Sequence, residues 1–188
     1  MSVDRLHETL VESVEVAKGK LLTLRRDTVV DADGERHTRE LVVHRGGVGV
    51  VALTDDDRII LVRQYRHAAG EALLEIPAGT LDRLPTGAIE APDSAARREL
   101  AEETGQRAAE WDSLGRFYTA PGFATEVMYL YLARRLEPIE GYAGPEADER
   151  LDVEVVALAD ALRMADEGEI RDAKTLVGLF WLTRFKAK

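Results

Sequence analysis

The stretch EAPDSAARRELAEETG, residues 90–105, carries the residue types that mark both ends of a helix. Pro92 suits the first helical position, where its missing N–H needs no partner. Asp93 follows in the first turn, where an acid interacts favourably with the helix dipole. Gly105 suits the left-handed residue that ends a helix. We therefore expect a helix from Pro92 to about Thr104.

Three glutamates of this helix fall on one stripe of its surface. Glu99 and Glu103 are neighbours at four-residue spacing, and Glu102 lies one turn from Glu99 on the adjoining side. Carboxylates about 6 Å apart repel by roughly 3 kcal/mol per pair at an effective dielectric near 20. The site therefore needs water or a cation, and oxygen ligands suit Mg²⁺ or Mn²⁺. Arg98 can pair with Glu102 at i,i+4. The alternative is a solvated acidic helix face.

The sequence before this helix predicts strands. Segments 21–30 and 35–44 flank an Asp-Gly turn and indicate a β-hairpin. Segment 48–53 is nearly all apolar, which is typical of a strand buried on both faces. Further strands are expected at 58–65 and, a short one, at 73–76.

The sequence after the helix predicts more strands and then two helices. The strands are expected at 111–118, 126–133 and 153–157, an acidic loop at 137–150, and the helices at 158–167 and 173–185. This order indicates an α+β or three-layer α/β/α domain rather than a regular βαβ repeat.

Composition excludes several classes of protein. The 188-residue chain has no cysteine, which rules out a disulfide scaffold, a zinc-thiolate site and a cysteine nucleophile. It carries 25 Lys and Arg against 35 Asp and Glu, a net charge of −10, which argues against nucleic-acid binding. With no apolar leader and no run of about 18 apolar residues, we expect no membrane association and a cytoplasmic location.

The spacing around the helix resembles the signature of the Nudix family, G-x5-E-x7-R-E-U-x-E-E-x-G-U, where U is aliphatic. The residues in register are Glu90, Arg98, Glu99, Leu100, Glu102, Glu103 and Gly105. The equivalent of the leading glycine is Gly79, which implies about five extra residues in the following loop, a small entropic cost. The last aliphatic position is Gln106.

This resemblance implies a fold and a cofactor. The fold is a Nudix-type α/β/α sandwich with a mixed central sheet and an N-terminal β-hairpin extension. Residues 1–44 would form the extension and residues 45–188 the hydrolase domain. The cofactor would be Mg²⁺ or Mn²⁺, held by Glu99, Glu102, Glu103 and the backbone carbonyl of Ala78.

Three flanking segments, at 63–66, 74–79 and 119–123, resemble the ADP-ribose pyrophosphatase branch of the family. That branch would hydrolyse ADP-ribose to AMP and ribose 5-phosphate. The residues that the resemblance assigns to the substrate are Arg39, Glu40, Arg63, Arg66, Glu75, Pro121 and Phe123. Arginines suit phosphates because they donate in bidentate fashion. The alternatives are solvated surface arginines and a solvated Glu75, a plain turn at Pro121 and core packing of Phe123.

The acidic loop is a second candidate for the chemistry. By the same resemblance, Glu149, or else Glu146, serves as general base or extra metal ligand, and Glu102 takes part in catalysis. A general base must come within hydrogen-bond reach of the attacking water, so this loop would have to close. The alternative is an ordinary solvated run of charge.

Two other functions remain open from the sequence. One is hydrolysis of another nucleoside diphosphate sugar, such as GDP-mannose, and the other is a sensor that binds ADP-ribose without turnover. The retained box glutamates and the net charge favour the enzyme. The resemblance also implies a homodimer formed through the N-terminal hairpin, with Arg39 and Glu40 acting on the partner's substrate.

Overall fold

The computed structural model describes residues 3–144 and 150–186. A short 3₁₀ helix, Val3–Leu6, comes first. The strands that follow are β1 (Thr9–Lys18), β2 (Thr23–Val30), β3 (Arg36–Val43), β4 (Gly47–Leu53), β5 (Arg58–Arg66), β6 (Glu71–Glu75), β7 (Ala78–Thr80), β8 (Gln106–Tyr118), β9 (Val127–Pro138) and β10 (Leu151–Ala157). The helices are α1 (Pro92–Thr104), α2 (Leu158–Asp166) and α3 (Ala173–Lys186).

The chain divides into two compact units. One is Met1–Gly46 with Tyr118–Val127, and the other is Gly47–Phe117 with Met128–Lys188. The sequence suggested a boundary after residue 44, and it gave no sign that residues 118–127 join the N-terminal unit. In the part of the chain that the structure describes, no helix is long and apolar enough to cross a membrane.

The N-terminal unit contains a three-stranded antiparallel sheet in the order β1-β2-β3. The predicted hairpin is confirmed as β2 and β3. The sequence analysis does not predict strand β1. Where β1 pairs with β2, the register shifts between Leu10 and Glu12 and again between Glu15 and Ala17. Such bulges break the strict alternation by which a strand is recognised in sequence.

The larger unit is built on a mixed sheet with the order β10-β5-β4-β9-β8. Strand β4 pairs with β9 in parallel, whereas β5 pairs antiparallel with β4 and β10. Strands β6 and β7 pair with β5 and β4 respectively. The mixed central sheet expected from the resemblance is therefore confirmed.

Strand β4 is buried along its whole length, as its apolar run predicts. Val48 and Val50 pack in one core cluster with Leu100 of α1. Val51 lies in the other cluster, with Leu179 of α3. Successive side chains of a strand point to opposite faces, so helices cover both faces of this sheet, which confirms the α/β/α sandwich.

Helix α1 has the ends that its sequence predicts. Pro92 occupies the first helical position, and Gly105 ends the helix in the left-handed region at φ 65°, where its N–H donates to the carbonyl of Ala101. Strand β8 begins directly at Gln106, five residues earlier than the apolar pattern indicated. The chain therefore turns from the helix into the sheet with no loop between them.

Candidate active site

The glutamates of α1 are buried to different degrees. Glu99 is 6% exposed and Glu103 is 2% exposed, whereas 37% of the Glu102 side chain is exposed. The helix presents this stripe to a pocket while Leu100 enters the core. Buried carboxylates are costly unless they are paired or hydrogen-bonded, so the partners of these groups define the site.

Arg98 is the shared cation of this stripe. Its Nη1 donates to Glu99 Oε1 at 2.7 Å and to Glu102 Oε2 at 2.9 Å, and its Nη2 donates to Glu90 Oε2 at 2.9 Å. The pairing of Arg98 with Glu102 is thus the one that their spacing predicts. The hydrogen bond from Arg98 holds the pKa of Glu90 below its ordinary value. One positive charge here serves three carboxylates, so the cluster keeps a negative surplus.

Strand β7 reaches the same carboxylates through its backbone. The N–H of Ala78 donates to Glu103 Oε2 at 2.9 Å. At Gly79, a Cβ atom would lie 1.9 Å from Glu99 Oε1, far closer than any contact allows. The carboxylate of Glu99 can therefore occupy its position only because residue 79 has no side chain.

These groups open on a cavity of about 370 Å³. Its lining combines the acidic stripe with residues from β5 and β7. The lining residues are Gln64, Arg66, Ala78, Gly79, Thr80, Asp82, Arg98, Glu99, Glu102 and Glu103. The structure therefore brings Arg66 and Ala78, both predicted site residues, into one pocket with the three predicted helix carboxylates.

Arg66 is held in this pocket by Glu75. Its Nε and Nη2 donate to the two carboxylate oxygens of Glu75, each at 2.7 Å. Glu75 is only 1% exposed, and Oε2 also accepts a hydrogen bond from Lys174. Burial alone would raise the pKa of Glu75, but the hydrogen bond from Arg66 and the charge of Lys174 outweigh it and lower that pKa. The structure thus places Glu75 behind Arg66, where its carboxylate accepts hydrogen bonds from the cationic side chains of Arg66 and Lys174.

Arg63 does not line the pocket. Adjacent strand residues alternate between the faces of a sheet, so Arg63 points away from the face that carries Gln64 and Arg66. Its guanidinium instead pairs with Glu154 of the neighbouring strand β10.

The remaining predicted substrate residues lie in the N-terminal unit. Arg39 pairs with Glu8, and Glu40 pairs with Arg26 at 3.0 Å. Arg39 and Pro121 line a second cavity, of about 470 Å³, within this unit.

Phe123 also belongs to this unit, and its side chain is 58% exposed. Its backbone carbonyl accepts a hydrogen bond from Val42 of β3 at 2.7 Å. Glu146 and Glu149, the two candidate bases, lie outside the described residues.

The donor set at the pocket decides whether a divalent metal fits. Within residues 3–144 and 150–186, no three His, Cys, Asp or Glu side chains converge closely enough to hold an ion unaided. The guanidinium of Arg98 lies between Glu99 and Glu102 and neutralises part of their charge. The donors are nevertheless all oxygens with a negative surplus, and Glu99 lines the pocket in close contact with Gly79. In type and charge they fit a hard cation such as Mg²⁺.

Sequence reasoning missed three residues that shape the site. Gln64 lies on the same face of β5 as Arg66, so the two-residue period of a strand could have indicated it. Asp82 lies just before the extra residues of the loop and carries no signal beyond its charge. Lys174 is 99 residues from its partner Glu75, and no local pattern connects them.

Comparison with known proteins places this architecture in a family. The family model described as the NUDIX domain matches residues 43–177. An ADP-ribose pyrophosphatase from Bacillus subtilis (strain 168) is 37% identical over 177 residues, which cover 94% of this chain and 93% of that protein. An ADP-ribose pyrophosphatase from Mycobacterium tuberculosis (strain ATCC 25618 / H37Rv) is 39% identical, with 90% of this chain and 80% of that protein covered.

More distant similarities agree with this result. A GDP-mannose pyrophosphatase from Enterobacter sp. (strain 638) is 33% identical, with 90% of this chain and 94% of that protein covered. A crystal structure of an ADP compounds hydrolase superposes with a TM-score of 0.80 at 25% identity, covering 95% of this chain and 93% of the other. The matched residues include α1 with its carboxylates, and the chain therefore belongs to the Nudix family of hydrolases.

Proposed function

We propose that this enzyme hydrolyses the diphosphate bond of ADP-ribose and releases AMP and ribose 5-phosphate. The observation that carries the proposal is the pocket in which the carboxylates of α1 lie beside Arg66. An acid-rich wall suits a divalent cation, and an arginine suits a phosphate. A diphosphate bound together with its cation offers a positive ion to the carboxylates and a negative phosphate to the arginine. The ADP-ribose pyrophosphatases among the relatives of this chain support the choice of substrate.

Glu99, Glu102 and Glu103, with the carbonyl of Ala78, are the residues that would hold Mg²⁺ or Mn²⁺. Such a cation neutralises charge on the diphosphate oxygens and lowers the pKa of water bound to it. Arg98 shares two of these carboxylates, so its part is to orient them and to limit their repulsion.

Arg66 would bind one phosphate of the substrate. Arginine has five N–H donors in a fixed plane, and Glu75 occupies the edge formed by Nε and Nη2. Nη1 is on the side of the guanidinium that does not face Glu75, and it would be the nitrogen that donates to the phosphate. The contact with Glu75 fixes the orientation of the plane, so that phosphate binding costs little further side-chain entropy.

The attacking water needs a base. We assign this role to Glu149 of the acidic loop, with Glu146 as the alternative. The base takes a proton from water, the water oxygen bonds to phosphorus, and the bridging oxygen leaves with the other phosphate. The test is to substitute each glutamate by glutamine. Loss of kcat in the Glu149→Gln protein alone would support the first assignment.

The test of the substrate is a panel of nucleoside diphosphate compounds assayed with Mg²⁺, in which phosphatase treatment detects the phosphate esters released. We expect the wild-type enzyme to prefer ADP-ribose and the Glu103→Gln protein to lose this activity by about a thousandfold. Glu137→Gln is a matched control, since Glu137 is an exposed partner of Arg107 and its loss should leave turnover unchanged. Binding of ADP-ribose without turnover by the wild type would instead indicate a sensor.

A second candidate substrate is GDP-mannose, which the similarity to GDP-mannose pyrophosphatases favours. The same panel separates the two. A higher kcat/KM for GDP-mannose than for ADP-ribose would keep the site and the reaction but change the nucleotide.

We further propose that the enzyme is a homodimer formed through the N-terminal sheet. Strand β1 is exposed along its length, and its apolar residues Leu10, Val11, Val14 and Val16 are each about half exposed. A partner that covers this strand would bury them. Arg39 and Glu40 would then serve the substrate of the partner subunit. Light scattering should give twice the chain mass of 20.8 kDa, and a mass of one chain would contradict the proposal.

A further inference from the structure

A buried ion cluster behind the pocket connects strand β6 to the first turn of α3. Lys174 donates to Glu75 Oε2 and pairs with Asp172 Oδ1 at 3.0 Å. The side chain of Lys174 is 13% exposed and that of Glu75 only 1%. Arg66, at 40% exposure, is the member of the cluster that reaches the pocket.

The position of Lys174 is fixed by the start of its helix. Asp172 Oδ2 accepts hydrogen bonds from the N–H of Thr175 at 2.9 Å and from its hydroxyl at 2.6 Å. The same hydroxyl oxygen accepts a hydrogen bond from the N–H of Ile76 at 2.8 Å. Helix α3 is therefore joined to this segment at two points, by Lys174 to Glu75 of β6 and by Thr175 to Ile76, the residue after it.

We propose that Lys174 is a positioning residue that keeps the charge of Arg66 available to a phosphate. The inference rests on the proposed role of Arg66 in substrate binding. Without Lys174, the cluster of Arg66, Glu75 and Asp172 would carry a net negative charge, which is unfavourable to an anion. Lys174 supplies the second positive charge that balances these two carboxylates, so Glu75 is not neutralised by Arg66 alone. Glu75 also stays ionised and bidentate, which fixes the guanidinium in one plane.

The competing explanation is that Lys174 only holds α3 against the sheet. Loss of stability would then accompany any change at this position, with no particular effect on phosphate binding. The two explanations differ in whether Lys174 acts through Arg66. A double-mutant cycle measures this coupling directly.

The experiment compares Lys174→Met with Arg66→Met and with the double variant, in steady-state kinetics with ADP-ribose. We expect Lys174→Met to raise KM about tenfold, as when a charged group loses a buried partner, with a smaller effect on kcat. In the Arg66→Met background the same change should alter KM by less than about twofold. Lys186→Met is the matched control, since Lys186 pairs with Asp57 at the exposed far end of α3, and it should leave KM unchanged.

An equal rise of KM in both backgrounds, or no rise in either, would overturn the proposal. If Lys174→Met does not fold, Lys174→Gln removes the charge from a polar side chain and carries the same expectations. The Nε–H resonance of Arg66, identified by its absence in Arg66→Met, gives a readout without turnover. It should lose protection from solvent exchange in the Lys174 variants and not in Lys186→Met. If the enzyme fails to hydrolyse ADP-ribose, the proposed function fails, while this resonance still decides whether Lys174 positions Arg66.

Discussion

The two arginines of the pocket lie in clusters of different charge balance. Arg98 serves Glu90, Glu99 and Glu102, so its cluster is negative. Arg66 shares Glu75 with Lys174, which also pairs with Asp172, so the charges of its cluster balance. Arginine therefore has a different role in each of the two clusters. Arg98 moderates the repulsion within an acidic wall that suits a cation, whereas Arg66 is the residue that we propose binds an anion.

The clusters differ also in how they are built. The Arg98 cluster comes mainly from one helix and the residue two positions before it. The Arg66 cluster joins a strand, its neighbour and a helix that lies about a hundred residues further along the chain. The first depends on helical spacing and the second on the tertiary fold, so they should respond differently to substitution.

The largest effect should follow from breaking the acidic cluster at a carboxylate. Glu99→Gln removes a charged oxygen donor but keeps the shape of the side chain. Because stabilisation of charge on the diphosphate is worth several kcal/mol, kcat should fall about a thousandfold at saturating Mg²⁺. Thermal unfolding should show that the variant remains folded. A fall in kcat of less than tenfold would mean that Glu99 is not part of the metal site.

The next effect concerns the cation of that cluster. Arg98→Met removes the cation that hydrogen-bonds to buried Glu99 and to Glu90, whose side chain is 11% exposed, which should lower the free energy of unfolding by about 3 kcal/mol. Urea titration measures the change.

Arg163 of α2 provides a matched control for this substitution. It lies within 4 Å of three acids, Asp160, Glu167 and Glu169, compared with four for Arg98, but its side chain is about half exposed. Surface ion pairs are worth at most about 1 kcal/mol, so Arg163→Met should cost less than that. Equal losses in the two variants would contradict the distinction between a buried and an exposed cluster.

The third effect tests the close approach of β7 to the acidic cluster. In Gly79→Ala, the new Cβ would force Glu99 out of its position. Displacement of a catalytic group by about 1 Å can cost a hundredfold in rate, so kcat should fall to about that extent. Gly19→Ala is the control, because its Cβ would meet only an ordinary contact at 3.5 Å. Full activity of the Gly79 variant would show that Glu99 can work from another position.

The smallest effect separates the clusters by pH. The pKa of Glu75 is lower in the folded protein than its ordinary value of 4.5. A carboxyl with a lowered pKa stabilises the fold above the unfolded-state pKa, and this contribution is lost as the pH falls through the folded-state pKa. Below about pH 4.5 the wild type should therefore lose stability more steeply than Glu75→Gln. Urea midpoints measured across this range provide the comparison, and parallel curves would show that Glu75 contributes no pH-dependent stability.

The comparison of the clusters also explains what the sequence could predict. The stripe of Glu99, Glu102 and Glu103 and the pairing of Arg98 with Glu102 follow from 3.6 residues per turn. Lys174 could not be found in this way, since nothing in a local pattern says which helix end will meet β6.

Other differences have equally specific causes. Strand β1 was missed because its bulges hide the alternation of a strand. Arg63 and Arg66 were assigned together from a motif, although the two-residue period of β5 separates them onto opposite faces. The motif indicated a region of the chain, and only the pairing of strands showed which side chains enter the pocket.

The link between Ile76 and Ala78 has a mechanical consequence. The N–H of Ile76 is held by Thr175 of α3, and the N–H of Ala78 is held by Glu103 of α1. These helices cover opposite faces of the sheet, yet one short peptide is fastened to both. A change that weakens the packing of α3 on one face of the sheet should therefore speed deuterium uptake at both amides. The contact of Ala78 with Glu103, on the opposite face, should loosen with it.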